Sequence, residues 1–139
     1  MRFSNILGTI VSIAASVTAT QVTWDIGYDD PNRKLESVSC SDGPNGLIKK
    51  YGWTTQGAIP RFPYIGGAEA VEGWNSKNCG TCWSATFKER TVFVLAIDHT
   101  GHGLNLGLGA MEDLTDGNAV FYGKVDAVVN QVPLQYCGL

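Results

Sequence analysis

The chain has no block of like charge, no long apolar run beyond its N-terminal segment, no internal repeat and no Asn-x-Ser/Thr sequon. Each absence removes a class of protein. Phosphate-rich partners are recognised by clustered Lys and Arg. The formal net charge is -3, and the basic pair Lys49-Lys50 reads as a solvated helix face. Nucleic acid and anionic membrane are therefore not expected as partners. Without a second apolar run there is no membrane span, and without repeat or linker there is one domain. The missing sequon removes N-glycosylation. Histidine is scarce too: the only two, His99 and His102, sit three residues apart.

What is present begins with a secretory pattern. Arg2 precedes an apolar stretch, residues 6–17, interrupted only by small residues, and Val17-Thr18-Ala19 offers compact side chains where a signal peptidase reads. Residues 1–19 are thus expected to be a signal peptide, too short for a membrane span, with the mature domain over residues 20–139. Loss of Arg2 takes the net charge from -3 to about -4. Four cysteines in a small secreted domain read as two disulfides, and sequence alone allows three pairings.

Along the chain, residues 22–27 read as a first strand, residues 28–33 as a loop, and residues 35–40 as a short alternating strand. Asp42 or Asn45 is placed to cap a short helix ending at Tyr51, with Leu47, Ile48 and Tyr51 as its apolar face. Residues 52–73 are rich in Gly and Pro, so no regular element is expected there beyond a helical turn at residues 68–71. The aromatic residues Trp53, Phe62, Tyr64 and Trp74 punctuate this region as loop anchors or, for one or two, as sugar-stacking surfaces. Residues 82–88 alternate, residues 91–97 are apolar on both faces, and together they predict a hairpin around a central strand. A short strand at residues 104–106, a short helix at 109–115 and one or two closing strands over 123–137 complete the pattern. It describes a small closed or nearly closed β-barrel.

Chemistry concentrates in residues 79–103. Cys79-Gly80-Thr81-Cys82 has dithiol spacing, but a redox motif needs a helix after it to lower a thiol pKa, and here a strand follows. Two half-cystines with distant partners is the better reading. Asp98, His99 and His102 lack a further strong ligand, and no metal is expected. Asp98 ends a buried strand before a Gly-rich turn, where a carboxylate can enter a groove and bind sugar hydroxyls, with Asn105 near in the chain. Hydrolysis would need a second carboxylate across the bond, and nothing in the spacing singles out Asp25, Asp29 or Asp42.

These residues resemble the cerato-platanin family, small secreted proteins of filamentous fungi. The resemblance rests on residues 37–43 (SVSCSDG), Gly46-Leu47, Pro60-Arg61-Phe62-Pro63 with Gly66-Gly67, and Gly73-Trp74. Cys79-Gly80-Thr81-Cys82-Trp83, Ile97-Asp98 before Gly-rich turns, Asn105 and Cys137 complete it. It implies a mainly β fold with short helices: a single-domain, six-stranded double-ψ β-barrel like the first domain of expansins, with disulfides Cys40–Cys79 and Cys82–Cys137. It also implies a secreted, cell-wall-associated protein without a cofactor that binds N-acetylglucosamine oligomers in a shallow groove. Loosening of cell-wall polysaccharide and sensing by a plant surface receptor as an elicitor are further implications. Hydrolysis is not expected; the rival is a weak glycan-cleaving enzyme of the expansin-related endoglucanase type using Asp98. The candidate sugar-binding residues are Asp98, Asn105, His99 and Trp83. At His99, Thr100 and His102 the chain departs from the family pattern, which has a small residue after the aspartate and often Arg in the turn. Histidines lining the groove would make binding pH-dependent near pH 6–7.

Overall fold

The computed structural model describes residues 18–139. The signal-peptide expectation, residues 1–19, falls almost wholly outside them. Six strands form a closed barrel: β1 (Ala19–Trp24), β2 (Ile65–Ala68), β3 (Cys82–Phe87), β4 (Arg90–His99), β5 (Leu104–Leu106) and β6 (Val125–Val132). Their order around it is β1-β5-β2-β4-β3-β6. The pairs β1/β5 and β2/β4 are parallel and the others antiparallel, in agreement with the double-ψ barrel that the resemblance implies. Three short helices decorate it: α1 (Leu47–Tyr51), α2 (Leu108–Leu114) and α3 (Ala119–Tyr122).

Alternation along the strands explains the core. Val22, Ile65, Ile97, Leu104 and Leu106 point inward and are fully buried, while their chain neighbours Thr23, Asp98 and Asn105 face outward. The β3–β4 hairpin is joined at Lys88 and Glu89, both at positive φ (45° and 69°), a backbone geometry that suits a tight hairpin turn. The disulfides are Cys40–Cys79 and Cys82–Cys137. Each half of the Cys-x-x-Cys therefore joins a different distant segment, and the motif is a pair of staples.

Several expectations are corrected. Residues 35–40 form no strand: Leu35–Ser37 is a 3₁₀ turn, and Lys34 makes only an isolated bridge to Thr55. Leu35 is held instead by burial of its side chain. The cap of α1 is Gly46, not Asp42 or Asn45, and it makes no side-chain cap bond. The closing segment is a single strand, β6, and Leu134–Cys137 is a 3₁₀ turn.

The largest omission is β2, inside the region read as irregular. Gly66 and Gly67 mask it in sequence but are what allow it. A Cβ on Gly66 would lie 2.2 Å from the Asn105 carbonyl oxygen, so only glycine lets β2 pass that close to β5. The helix α3 was also not anticipated. Its Asn118–Tyr122 backbone bond and the Trp24 indole, which donates to the Ala119 carbonyl, hold it on the barrel.

Candidate functional site

The pairing registers place one outward row across four neighbouring strands. Asp98 on β4 lies opposite Gly67 on β2, Gly67 opposite Asn105 on β5, and Asn105 opposite Thr23 on β1. With strands about 5 Å apart, the Cα atoms of Asp98 and Asn105 are separated by roughly 10 Å. The residue between them has no side chain. The row is thus two polar side chains flanking a buried glycine, with Thr23 as its far end.

Three donors fix the Asp98 carboxylate. The Tyr28 hydroxyl donates to Oδ2 at 2.9 Å, the Ser39 N–H to Oδ1 at 3.0 Å, and the His99 N–H to Oδ1 at 2.9 Å. A half-buried carboxylate with three donors is held in one orientation and keeps accepting capacity for a ligand. Asn105 is fixed through its oxygen, which accepts from the Thr23 hydroxyl at 3.0 Å. Its amide nitrogen is then the donor it can offer.

Tyr28 occupies the 3₁₀ turn Ile26–Asp29, directly after β1. It is 3 % exposed. Its hydroxyl lies over Gly67, where a Cβ would come within 3.2 Å of it. Burial first, then the charge of Asp98 and the bond to it, push the ionisation of Tyr28 far above the ordinary tyrosine value, so it remains a donor. The turn itself is held from below. Gln56, fully buried, donates from Nε2 to the carbonyls of Gly27 (2.9 Å) and Asp30 (2.8 Å). The Arg33 guanidinium lies 5.4 Å from the centre of the Tyr28 ring.

The other candidates lie elsewhere. His99 is exposed, and its Nδ1 is 2.6 Å from the Val71 carbonyl, an acceptor, so that nitrogen carries a proton toward the 69–71 turn and not toward the row. His102 is exposed in the following bend. Trp83, whose Nε1 donates to the Thr81 hydroxyl at 2.8 Å, borders a separate cavity of about 340 Å³ with Ala68, Glu69 and Leu104. Trp83 pairs with Val94 on β4, four residues before Asp98, which puts it roughly 13 Å along the strand.

The three other candidate aspartates each hold a partner of their own. Asp25 accepts from the Gly27 N–H of its own turn. Asp29 accepts from the Leu108 and Gly109 N–H groups and so caps α2 from a distant segment. Asp42 accepts from the Trp74 indole. Among the described residues no group of three His, Cys, Asp or Glu side chains is arranged to hold a metal. Sequence reasoning missed Tyr28, Thr23 and Gln56. Thr23 sits at an alternating position of an anticipated strand, so its outward face was readable, but its opposition to Asn105 was not.

Comparison with known proteins settles the family. The cerato-platanin family model matches residues 20–139. The chain belongs to the cerato-platanin family. A heat-stable 19 kDa antigen of Coccidioides immitis is 43% identical over 122 residues, which span 88% of this chain and 83% of that one. The crystal structure of cerato-platanin 1 from M. perniciosa superposes with a TM-score of 0.82 at 39% identity, covering 86% of this chain and 99% of the other. The solution structure of the fungal elicitor cerato-platanin does so with a TM-score of 0.75 at 33% identity, covering 84% and 95%. These cerato-platanin relatives are named as antigen and elicitor, not as enzymes. Among the described residues, no helix is long and apolar enough to cross a membrane.

Proposed function

We propose that this cerato-platanin is a secreted, non-catalytic wall-associated protein that binds N-acetylglucosamine oligomers along the Asp98–Gly67–Asn105 row. The observation that carries the reading is the row itself. An oriented carboxylate and an oriented amide share one outward row of a stapled barrel, with the Tyr28 hydroxyl over the glycine between them. Sugar rings present hydroxyl and acetamido groups that such acceptors and donors match. Binding without cleavage is favoured because Asp25, Asp29 and Asp42 are each committed to another partner. A glycosidase needs a second carboxylate about 5–10 Å across the scissile bond.

Export through a signal peptide at residues 1–19 is part of the proposal. So are expansin-like loosening, by competition for the hydrogen bonds between polysaccharide strands, and perception by a plant surface receptor. The last is supported by the elicitor among the structural relatives.

The test is calorimetric or chemical-shift titration with N-acetylglucosamine oligomers. Asp98→Ala is expected to weaken binding by at least roughly tenfold, the loss of one charge-assisted contact. Unchanged binding in that variant would sink the assignment. New reducing ends released from soluble glucan, and lost in Asp98→Asn, would replace binding with hydrolysis of the endoglucanase type.

A further inference from the structure

A second feature takes no part in the row. Trp74 is 62% exposed, yet it is held at several points. Its Nε1 donates to Asp42 Oδ1 at 2.6 Å, and the Ser41 hydroxyl donates to the same oxygen at 3.3 Å. The ring lies against the backbone of Gly43, at φ +82°, where a Cβ would come within 2.9 Å of Trp74 Cζ2. The turn carrying the ring is clamped as well. Asn75 sits at φ 61°, its side-chain oxygen accepts from the Asn45 N–H at 2.9 Å, and the Asn45 amide donates to its carbonyl at 3.0 Å.

Isolated exposed apolar side chains are ordinary on protein surfaces and need no supports. This indole has a hydrogen-bonded edge, a glycine-dependent seat and a turn residue in the left-handed region clamped beneath it. Such an arrangement presents one aromatic face to solvent in a fixed orientation. Next to it lies a hollow of about 650 Å³ bordered by Glu72, Ser76, Lys77 and Asn78. A flat aromatic face beside polar side chains suits a ligand with one C–H face and many hydroxyls, which is a sugar ring.

The Trp74 platform is also tied to the Asp98 row. The loop that offers Ser39 N–H to Asp98 reaches Asp42 three residues later, a span of at most about 10 Å. The Cys40–Cys79 disulfide, with Cα atoms 5.4 Å apart, joins that loop to the segment after Trp74. We propose that Trp74 is an outer stacking subsite for a further sugar ring of the same oligomer whose inner rings lie at Asp98, with the Asp42 carboxylate orienting the indole. This rests on the glycan-binding reading given above.

Calorimetric titration of the parent protein, Trp74→Ala, Trp74→Phe and Asp42→Ala with the dimer and the hexamer of N-acetylglucosamine tests the proposal. Parent affinity is expected to rise with oligomer length. Trp74→Ala keeps the dimer affinity and weakens the hexamer by roughly five- to tenfold, the scale of one aromatic stacking contact. Trp74→Phe and Asp42→Ala fall between. Hexamer binding by Trp74→Ala at the parent's affinity overturns the subsite, as does equal weakening of both oligomers. If hexamer binding is lost in Asp98→Ala but untouched in Trp74→Ala, the row stands and only the subsite fails. If the parent binds neither oligomer, both readings fail together.

Discussion

The Tyr28 hydroxyl donates to Asp98 Oδ2 at 2.9 Å, linking the turn after β1 to the end of β4 across 70 residues of chain. Hydrogen bonds to a charged partner contribute about 1.5–3 kcal/mol, less where water can replace the donor, as it can at half-buried Asp98. Tyr28→Phe is therefore expected to cost about 1–2 kcal/mol in chemical denaturation. It should also weaken oligomer binding while Asp98 itself remains in place. A variant of unchanged affinity would show that Ser39 and His99 orient the carboxylate without help.

The same bond sets an alkaline limit. Burial and the neighbouring Asp98 favour the neutral hydroxyl in the folded state, whereas an unfolded tyrosine ionises near pH 10. The folded-state value is raised, so this contribution is whole below about pH 10 and is lost as pH rises above it. Tyrosinate absorbance should show Tyr28 ionising after the exposed tyrosines, together with unfolding, and Tyr28→Phe should remove that late step. Ionisation of all five tyrosines in a single early step would contradict the geometry.

Asp42 gives the opposite sign at acid pH. The Trp74 indole bond is the main influence on the carboxyl and holds it below its ordinary value. The folded-state value is lowered, so the bond persists above the usual carboxylate range and is lost as pH falls through the lowered one. Trp74 emission should hold steady down to about pH 4 and change only below it. In Asp42→Asn that acid transition should vanish.

Two adjacent glycines should respond unequally. Alanine at 66 puts a methyl carbon 2.2 Å from the Asn105 carbonyl oxygen, a backbone atom in the next strand. Gly66→Ala should lose roughly 3 kcal/mol or more, or fail to fold. At 67 the contacts are 2.9 Å to the His99 carbonyl oxygen and 3.2 Å to the Tyr28 hydroxyl. Gly67→Ala should cost less but impair binding, because the methyl group presses on the Tyr28 hydroxyl that orients Asp98. Thermal melts paired with titration separate the two effects.

Asp29 caps α2 from outside the helix, accepting from the Leu108 and Gly109 N–H groups. Asp29→Ala leaves those donors to water and removes a negative charge from the positive end of the helix. The expected loss is about 1–2 kcal/mol in urea denaturation. Asp29→Asn should recover part of it.

Sequence legibility followed the range of the forces involved. The β3–β4 hairpin, β5, α1 and α2 were readable because their alternation or apolar spacing is local. Strand β2 was not, since Gly66 and Gly67 carry no pattern and their strand role comes from β5 lying against them. The segment 35–40 alternates like a strand but bends into a 3₁₀ turn to bring Ser39 to Asp98. Asp98 and Asn105 were singled out from their place beside a Gly-rich turn, and the strand registers bring them onto one row. Tyr28 was not, because nothing near residue 28 refers to residue 98. Trp83 entered the candidate set through its neighbours in sequence, and the barrel carries it to a different cavity.

Barrel closure has a consequence for the order of events during synthesis. β1 is zipped to β6, with Ala19 opposite Val128, and Cys82 is bonded to Cys137. The first strand therefore waits for the last one, and the second staple waits for a cysteine near the far end of the chain. Such a barrel cannot complete itself before residues 125–137 are available to pair with β1 and to bond Cys82.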